Sequence, residues 1–181
     1  MFAGFSIDKY KSISYPRDNS LKTLNEIKNL KLKPLNTIQA NKFDNIINVF
    51  QNIFAYRIEP FPYKVVEKLL KESEPIILKI KKYHNRPRPN VNAEKFNINL
   101  DYLKMKSAQT PAFPSGHSAQ SKLVSLALTD MYPNLEKEFK KASDNISNSR
   151  LLARVHYESD KTVGEKLGKD LYTHIKGLKY I

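Results

Sequence analysis

Three short segments of this 181-residue chain carry cations, histidines and a carboxylate that could act on a bound anion. The first runs from Lys79 to Pro89, with lysines near a predicted helix end and then two arginines between prolines. A guanidinium is a planar fork that matches two phosphate oxygens, whereas an ammonium is a point charge. A basic helix end stabilised by the helix dipole would look the same and is favoured for this segment alone.

The second segment, residues 113–118, predicts the start of a helix with Ser115 as its N-cap. Gly116 leaves backbone N–H groups open to a close ligand, and a helix N-terminus is a ready anion site. His117 lies in the first turn and can reach that anion. An ordinary Ser-capped helix with an incidental histidine is an equally good interpretation.

The third segment, residues 149–160, contains Arg150, His156 and Asp160. If one unbroken helix covers residues 146–160, the helical step of about 100° per residue places these three side chains and Ser149 within an arc of about 120°. A cation, an imidazole and a carboxylate would then share one inward wall. For the His–Asp pair alone, a buried structural contact is the preferred interpretation.

Combined, the three segments offer two or three cations, a helix N-terminus and two imidazoles. If the fold gathers them around one point, they suit phosphoryl transfer without a metal ion, in which positioning and charge stabilisation do most of the catalysis.

Composition limits the alternatives. The 31 basic and 18 acidic side chains give a formal charge of +13, which attracts phosphates, nucleic acids or anionic membranes, although a solvated lysine-rich face explains it equally well. The absence of cysteine excludes disulfides, thiolate metal sites and cysteine nucleophiles. The longest stretch without Asp, Glu, Lys or Arg, residues 107–121, is too short to span a bilayer.

Apolar spacing predicts a single all-α domain of six or seven helices over residues 1–181, with N-terminal helices in 1–60 and the chemistry-bearing core in 77–168. The predicted helices cover residues 21–30, 38–54, 60–73, 75–86, 115–132, from 134 onward and 160–178, with a short piece at 102–105 in a loop over 90–114. Pro75 is expected to restart a helix. Asp8 interrupts the N-terminus too early for a secretory segment, so we expect a soluble protein, cytoplasmic or otherwise intracellular.

The spacing of the three segments resembles the type 2 phosphatidic acid phosphatase superfamily, which includes bacterial class A acid phosphatases and vanadium-dependent haloperoxidases. Lys81 with Arg88-Pro89 fits its first motif, residues 114–117 fit its Pro-Ser-Gly-His motif, and Ser149-Arg150 with His156 and Asp160 fits the third. Gly164 and Gly168 also match. Lys79 with Arg86 fits the first motif as well. We prefer Lys81 with Arg88, because members commonly carry a further Arg two residues before the motif Arg, as Arg86 would be.

The resemblance implies a role for each matched residue. His156 is the nucleophile that forms a phosphohistidine, Asp160 orients it, and His117 is the general acid and then the base. The phosphate oxygens are bound by Lys81, Arg88, Arg150, the Ser115 hydroxyl and the Gly116 N–H. No metal or other cofactor is implied for a phosphatase.

The implied activity is that of a soluble phosphatase for small phosphomonoesters or lipid phosphates; a lipid substrate would require peripheral contact with an anionic membrane. A haloperoxidase with vanadate in the same pocket is the alternative enzyme, disfavoured by the short chain. A basic nucleic-acid or anion-binding module without catalysis explains the charge but leaves the spacing of His117, His156 and Asp160 to chance.

Overall fold

The computed structural model describes residues 1–177, which form nine α-helices and no strand. The helices are α1 (Asp8–Lys11), α2 (Leu21–Leu32), α3 (Thr37–Lys42), α4 (Ile46–Gln51), α5 (Tyr63–His84), α6 (Pro89–Lys95), α7 (Gly116–Met131), α8 (Glu136–Leu152) and α9 (Glu158–Gly177). Short 3₁₀ turns cover Asn52–Phe54, Lys106–Ala108 and Pro133–Leu135. The all-α prediction is confirmed. The predicted domain end at residue 181 and helix end at Leu178 lie outside the described residues.

The helix number exceeds the prediction because α1 and α6 were not predicted and the expected helix over residues 38–54 is divided, although two predicted helices merge in α5. Asn36 and Asn45 each cap a short helix, since their side-chain oxygens accept hydrogen bonds from the N–H groups of Gln39 and Asn48. Caps of this kind satisfy the free N–H groups of a helix start. Apolar spacing alone predicts one helix here, whereas the second asparagine begins a new one.

Two other expectations about helices were wrong. Helix α5 continues through Pro75 instead of restarting there. In the turn before this proline, the carbonyl of Leu70 accepts hydrogen bonds from Ser73 Oγ and Gln120 Nε2. The loop over 90–114 contains α6, which Pro89 opens at its first position, and the piece expected at 102–105 is instead the turn at 106–108.

Helix α7 lies at the centre of the bundle and packs against α5, α8 and α9. Glycines allow α9 to approach it closely. A Cβ atom on Gly164 would lie 2.5 Å from the carbonyl oxygen of Ser115, and one on Gly168 would lie even closer to the carbonyl of Ala119. The two glycines therefore bring the start of α9 against the start of α7, where the second and third motifs meet.

Helix α5 is the longest of the bundle, with 22 residues. Its inner face buries Val66, Leu69, Ile77 and Ile80, while most of its lysines and glutamates face solvent. Within residues 1–177, no helix combines the length and the apolar character required to cross a membrane.

Candidate active site

The third motif does not lie on one helix, so the expectation of an unbroken helix over residues 146–160 was wrong. Helix α8 ends at Leu152, and Arg154 follows in the left-handed region at φ 56°. The Arg154 guanidinium donates to the carbonyls of Lys31 and Lys33 at the end of α2, at 3.0 and 2.7 Å. These tertiary contacts hold a conformation that few non-glycine residues adopt.

His156 and Asp160 are nevertheless in contact, because Asp160 lies in the first turn of α9 and its carboxylate reaches back. Asp160 Oδ2 accepts the N–H of Tyr157 at 3.0 Å and lies 3.1 Å from His156 Nδ1. An acidic side chain at a helix start favours such a backbone contact. The pair therefore forms at the junction of two helices rather than along one.

The partners of the His156 ring define its protonation state. Nδ1 faces a carboxylate, which accepts, while Nε2 lies 2.9 Å from Nη1 of Arg88, which can only donate. The ring is therefore neutral, with its proton on Nδ1 and a lone pair on Nε2. Burial lowers the pKa of His156 well below its usual value, and the charges of Arg88 and Lys81 act in the same direction.

Asp160 is balanced by a second arginine. Arg86 Nη1 donates to Asp160 Oδ1 at 2.6 Å, and both side chains are 0% exposed. Arg86 Nη2 also donates to Glu26 on α2 at 3.0 Å, and the guanidinium lies 3.7 Å from the ring centre of Tyr157. Burial raises the pKa of Asp160, and the charge of Arg86 opposes this rise. Arg86 thus contacts the carboxylate behind the histidine.

Lys81 and Arg88 are the members of the first motif that face the site. The ammonium of Lys81 is buried and donates to the carbonyl of Pro111 at 2.6 Å, whereas Lys79 is exposed. Arg88 Nε donates to the carbonyl of Thr110 at 2.9 Å. Burial and the charges of Arg88 and Arg150 lower the pKa of Lys81 to about 7. This arrangement favours the Lys81 and Arg88 pairing over Lys79 and Arg86.

The Pro-Ser-Gly-His motif forms the N-terminus of α7. Ser115 Oγ caps the helix by accepting the N–H of Ser118 at 3.3 Å, and Ser115 N donates to the backbone carbonyl of Asp160 at 3.0 Å. A Cβ atom on Gly116 would lie 3.8 Å from Cε of Lys81. The helix N-terminus therefore lies beside the lysine and is tied to the first turn of α9.

His117 and Arg150 meet at a residue that the sequence did not single out, Asp44 in the loop between α3 and α4. His117 Nε2 lies 2.9 Å from the backbone oxygen of Asp44 and 3.1 Å from its Oδ1. Arg150 Nη1 donates to the same Oδ1 at 2.8 Å, and Nη2 donates to Ser107 Oγ at 3.1 Å. The buried Nε of Arg150 has no partner within residues 1–177.

A cavity of about 200 Å³ lies between Lys81 on α5 and the N-terminus of α7. Lys81, Gly116 and His117 line it together with Ser107 and Thr110. Its remaining lining residues are Glu74, Ile77, Leu78 and Gln120. The volume is below the usual ~300–1,000 Å³ of drug-sized ligand pockets, so the cavity suits a small anionic group.

Asp44, Glu26 and Ser107 are the contributions that sequence reasoning missed. The sequence shows Arg86 as a second arginine of the first segment but does not predict that it pairs with Glu26 and Asp160. Asp44 and Glu26 are single acidic residues on N-terminal elements that carry no motif, and they lie 106 and 60 positions from Arg150 and Arg86. Nothing in their local sequence distinguishes them from other acidic residues.

Comparison with known proteins gives three informative similarities. No protein-family model matches the chain. The chain is 26% identical over 134 residues to a non-specific acid phosphatase of Salmonella typhi; the match covers 69% of this chain and about half, 52%, of that protein.

Two solved structures share the fold. A bacterial vanadium-dependent iodoperoxidase has a TM-score of 0.72 at 19% identity, covering 96% of this chain and 53% of that one. A transmembrane PAP2-type phosphatidylglycerolphosphate phosphatase from Bacillus subtilis has a TM-score of 0.59 at 17% identity, covering 94% and 90%. The acid phosphatase match and the shared helical fold agree with the resemblance of the three motifs to the type 2 phosphatidic acid phosphatase superfamily.

Proposed function

We propose that this protein is a metal-independent phosphatase that hydrolyses phosphomonoesters through a phosphohistidine on His156. One observation carries the proposal: the His156 ring is held by the carboxylate of Asp160 at Nδ1 and faces the guanidinium of Arg88 at Nε2, which leaves the lone pair on Nε2. The similarity to an acid phosphatase supports the same reaction class.

In the first step, His156 Nε2 attacks phosphorus and the bond from phosphorus to the leaving oxygen breaks. The proton on Nδ1 stays with the ring, and Asp160 stabilises the cationic phosphoimidazole, as a carboxylate does in a Ser-His-Asp triad. Arg88, Lys81 and Arg150 stabilise the equatorial oxygens together with the N-terminus of α7. One such donor contributes about 10²–10³ in rate.

His117 handles the protons of both steps. It donates a proton to the leaving oxygen as the phosphoryl group is transferred. The neutral ring then takes a proton from a water molecule, which attacks phosphorus and breaks the bond to His156 Nε2. Inorganic phosphate leaves, and both histidines return to their starting states.

The substrate is a phosphorylated small molecule or a lipid phosphate, the latter reached through contact between this basic protein, with its charge of +13, and an anionic membrane. The same cations and His156 fit vanadate, an oxyanion of similar shape, which when bound would supply peroxide activation for halide oxidation. The iodoperoxidase fold similarity keeps this activity as the second candidate.

The test compares wild type with His156→Ala, using p-nitrophenyl phosphate and capture of an acid-labile phosphoenzyme from labelled substrate. We expect the variant to lose nearly all turnover and all labelling. His174→Ala is the matched control, because residue 174 lies about 24 Å along α9 from Glu158 at ~1.5 Å per residue. Substantial turnover by His156→Ala would remove His156 as the nucleophile. Halide oxidation with peroxide and vanadate, without ester hydrolysis, would favour the haloperoxidase.

A further inference from the structure

The loop between α3 and α4 places one carboxylate against two groups of the candidate site. Asp44 Oδ1 accepts hydrogen bonds from Arg150 Nη1 at 2.8 Å and from Ser107 Oγ at 2.7 Å, and it lies 3.1 Å from His117 Nε2. We propose that Asp44 is a positioning residue for His117, fixing Nδ1 as the nitrogen that exchanges a proton with the leaving group and with water. This inference rests on the phosphatase function proposed above.

The tautomer argument comes from the two oxygens at His117 Nε2. One is the backbone carbonyl of Asp44 at 2.9 Å and the other is its carboxylate oxygen, and neither can donate a hydrogen bond while the carboxylate is ionised. Nε2 therefore keeps its proton whether the ring is neutral or cationic. The proton that is gained and lost must be the one on Nδ1.

The arrangement is the converse of the one at His156. There a carboxylate holds the proton on Nδ1 and leaves Nε2 with a lone pair. At His117 the carboxylate holds Nε2 and leaves Nδ1 to titrate. Two aspartates from opposite ends of the chain thus assign different nitrogens to the nucleophile and to the proton donor.

The charges around His117 explain why a general acid needs this carboxylate. Arg150 from α8, Lys81 from α5 and His156 before α9 are the basic groups near it, and Glu74 on α5 lines the same cavity. Burial and Arg150 lower the pKa of His117, and the hydrogen bond to Asp44 raises it. Without the Asp44 charge, His117 would lose its proton at lower pH and fail as an acid in more of the pH range.

Asp44 remains ionised over the working range. The hydrogen bonds from His117 and Ser107 and the charge of Arg150 hold the pKa of its carboxyl well below the usual value. Because the Asp44 carboxylate also offsets the charge of Arg150, neutralising it leaves more of that positive charge available to phosphate. Loss of the carboxylate should therefore weaken proton transfer without weakening phosphate binding, and a general loss of structure would weaken both.

The experiment measures kcat/KM of Asp44→Asn for phenyl phosphate, whose leaving group needs a proton, and for 2,4-dinitrophenyl phosphate, whose leaving group does not. General acid catalysis contributes about 10²–10⁴ in rate. We expect kcat/KM to fall at least about tenfold for phenyl phosphate, a part of that contribution because His117 itself remains, and less than about threefold for the dinitrophenyl ester. The basic limb of the kcat/KM profile should move to lower pH, and inhibition by inorganic phosphate should not weaken.

Three variants separate the possible outcomes. Asp44→Glu should recover part of the phenyl phosphate activity, and Asp144→Asn, in an exposed i,i+4 pair with Lys140, should behave as wild type. In a His117→Ala background, Asp44→Asn should cause no further loss that depends on the leaving group. Equal losses for both esters, or an undiminished effect without His117, would overturn the inference. Wild-type protein that hydrolyses neither ester would instead refute the proposed function.

Discussion

Gly164→Ala is expected to lower both the unfolding free energy and the catalytic rate, because it forces α9 away from the start of α7. Its new Cβ atom would lie 2.5 Å from the carbonyl oxygen of Ser115 and 3.0 Å from Cβ of Ser118. Ordinary contacts between such atoms begin about 1 Å further out, at ~3.5 Å, so α7 and α9 must separate by roughly that amount at this point. Overpacking of this kind typically costs about 1–3 kcal/mol of unfolding free energy.

The same displacement reaches the anion site, because Gly116 and His117 directly follow Ser115. A misplacement of about 1 Å can cost about 10² in rate, so we expect kcat/KM for an aryl phosphate to fall about a hundredfold. The measurements are urea unfolding and steady-state kinetics, at a temperature where each variant is folded.

Gly168→Ala is the matched control. Its Cβ atom would clash with the carbonyl of Ala119, one turn further along α7 from the site. It should cost at least as much stability and less activity than Gly164→Ala. Gly177→Ala should change neither, because its Cβ meets no atom of another element of residues 1–177 within 4 Å. Wild-type stability and activity in Gly164→Ala would refute the close approach of the helices. Equal activity losses at residues 164 and 168 would show that the effect follows stability.

Other perturbations test the buried charges. Arg86→Met should lower the unfolding free energy by about 3–5 kcal/mol in urea titrations, because it leaves the buried Asp160 carboxylate without its guanidinium partner; a loss below about 1 kcal/mol would contradict the buried pair. Glu26→Gln should lower kcat and leave inhibition by phosphate unchanged, since Glu26 holds Arg86 and the N–H of Ser159 behind the nucleophile and contacts none of the proposed phosphate-binding groups. The pKa of Lys81, about 7, implies that phosphate inhibition weakens as pH rises above that value and the ammonium loses its charge. Lys81→Arg should remove this dependence, and an unaltered profile would exclude Lys81 as its source.

The parts of the site that could be predicted are those encoded locally. Lys81 and Arg88 lie at one helix end and the following turn, and Ser115 caps the helix that carries His117. The spacing from His156 to Asp160 predicts proximity on a helix. The contact forms for another reason: Asp160 lies in the first turn of α9, and its carboxylate reaches back to His156 and to the N–H of Tyr157 just before the helix.

The parts that could not be predicted depend on long-range contacts. The helix break after Leu152 requires the carbonyls of Lys31 and Lys33, more than a hundred residues earlier, to hold Arg154 at positive φ. Asp44 reaches the site because it lies between the end of α3 at Lys42 and Asn45, the N-cap of α4, in a helix break that apolar spacing does not reveal. Composition and periodicity therefore predict the all-helical class, while tertiary contacts decide where helices end.

The two N-terminal carboxylates have a practical consequence for dissecting the protein. A fragment trimmed to begin at Pro60 would retain every motif side chain and discard Asp44 and Glu26, the partners of Arg150 and Arg86. Two buried guanidinium groups would then lose an anion each. The candidate site therefore depends on the N-terminal helices, and we expect trimming guided by motif boundaries to yield an inactive or unfolded product.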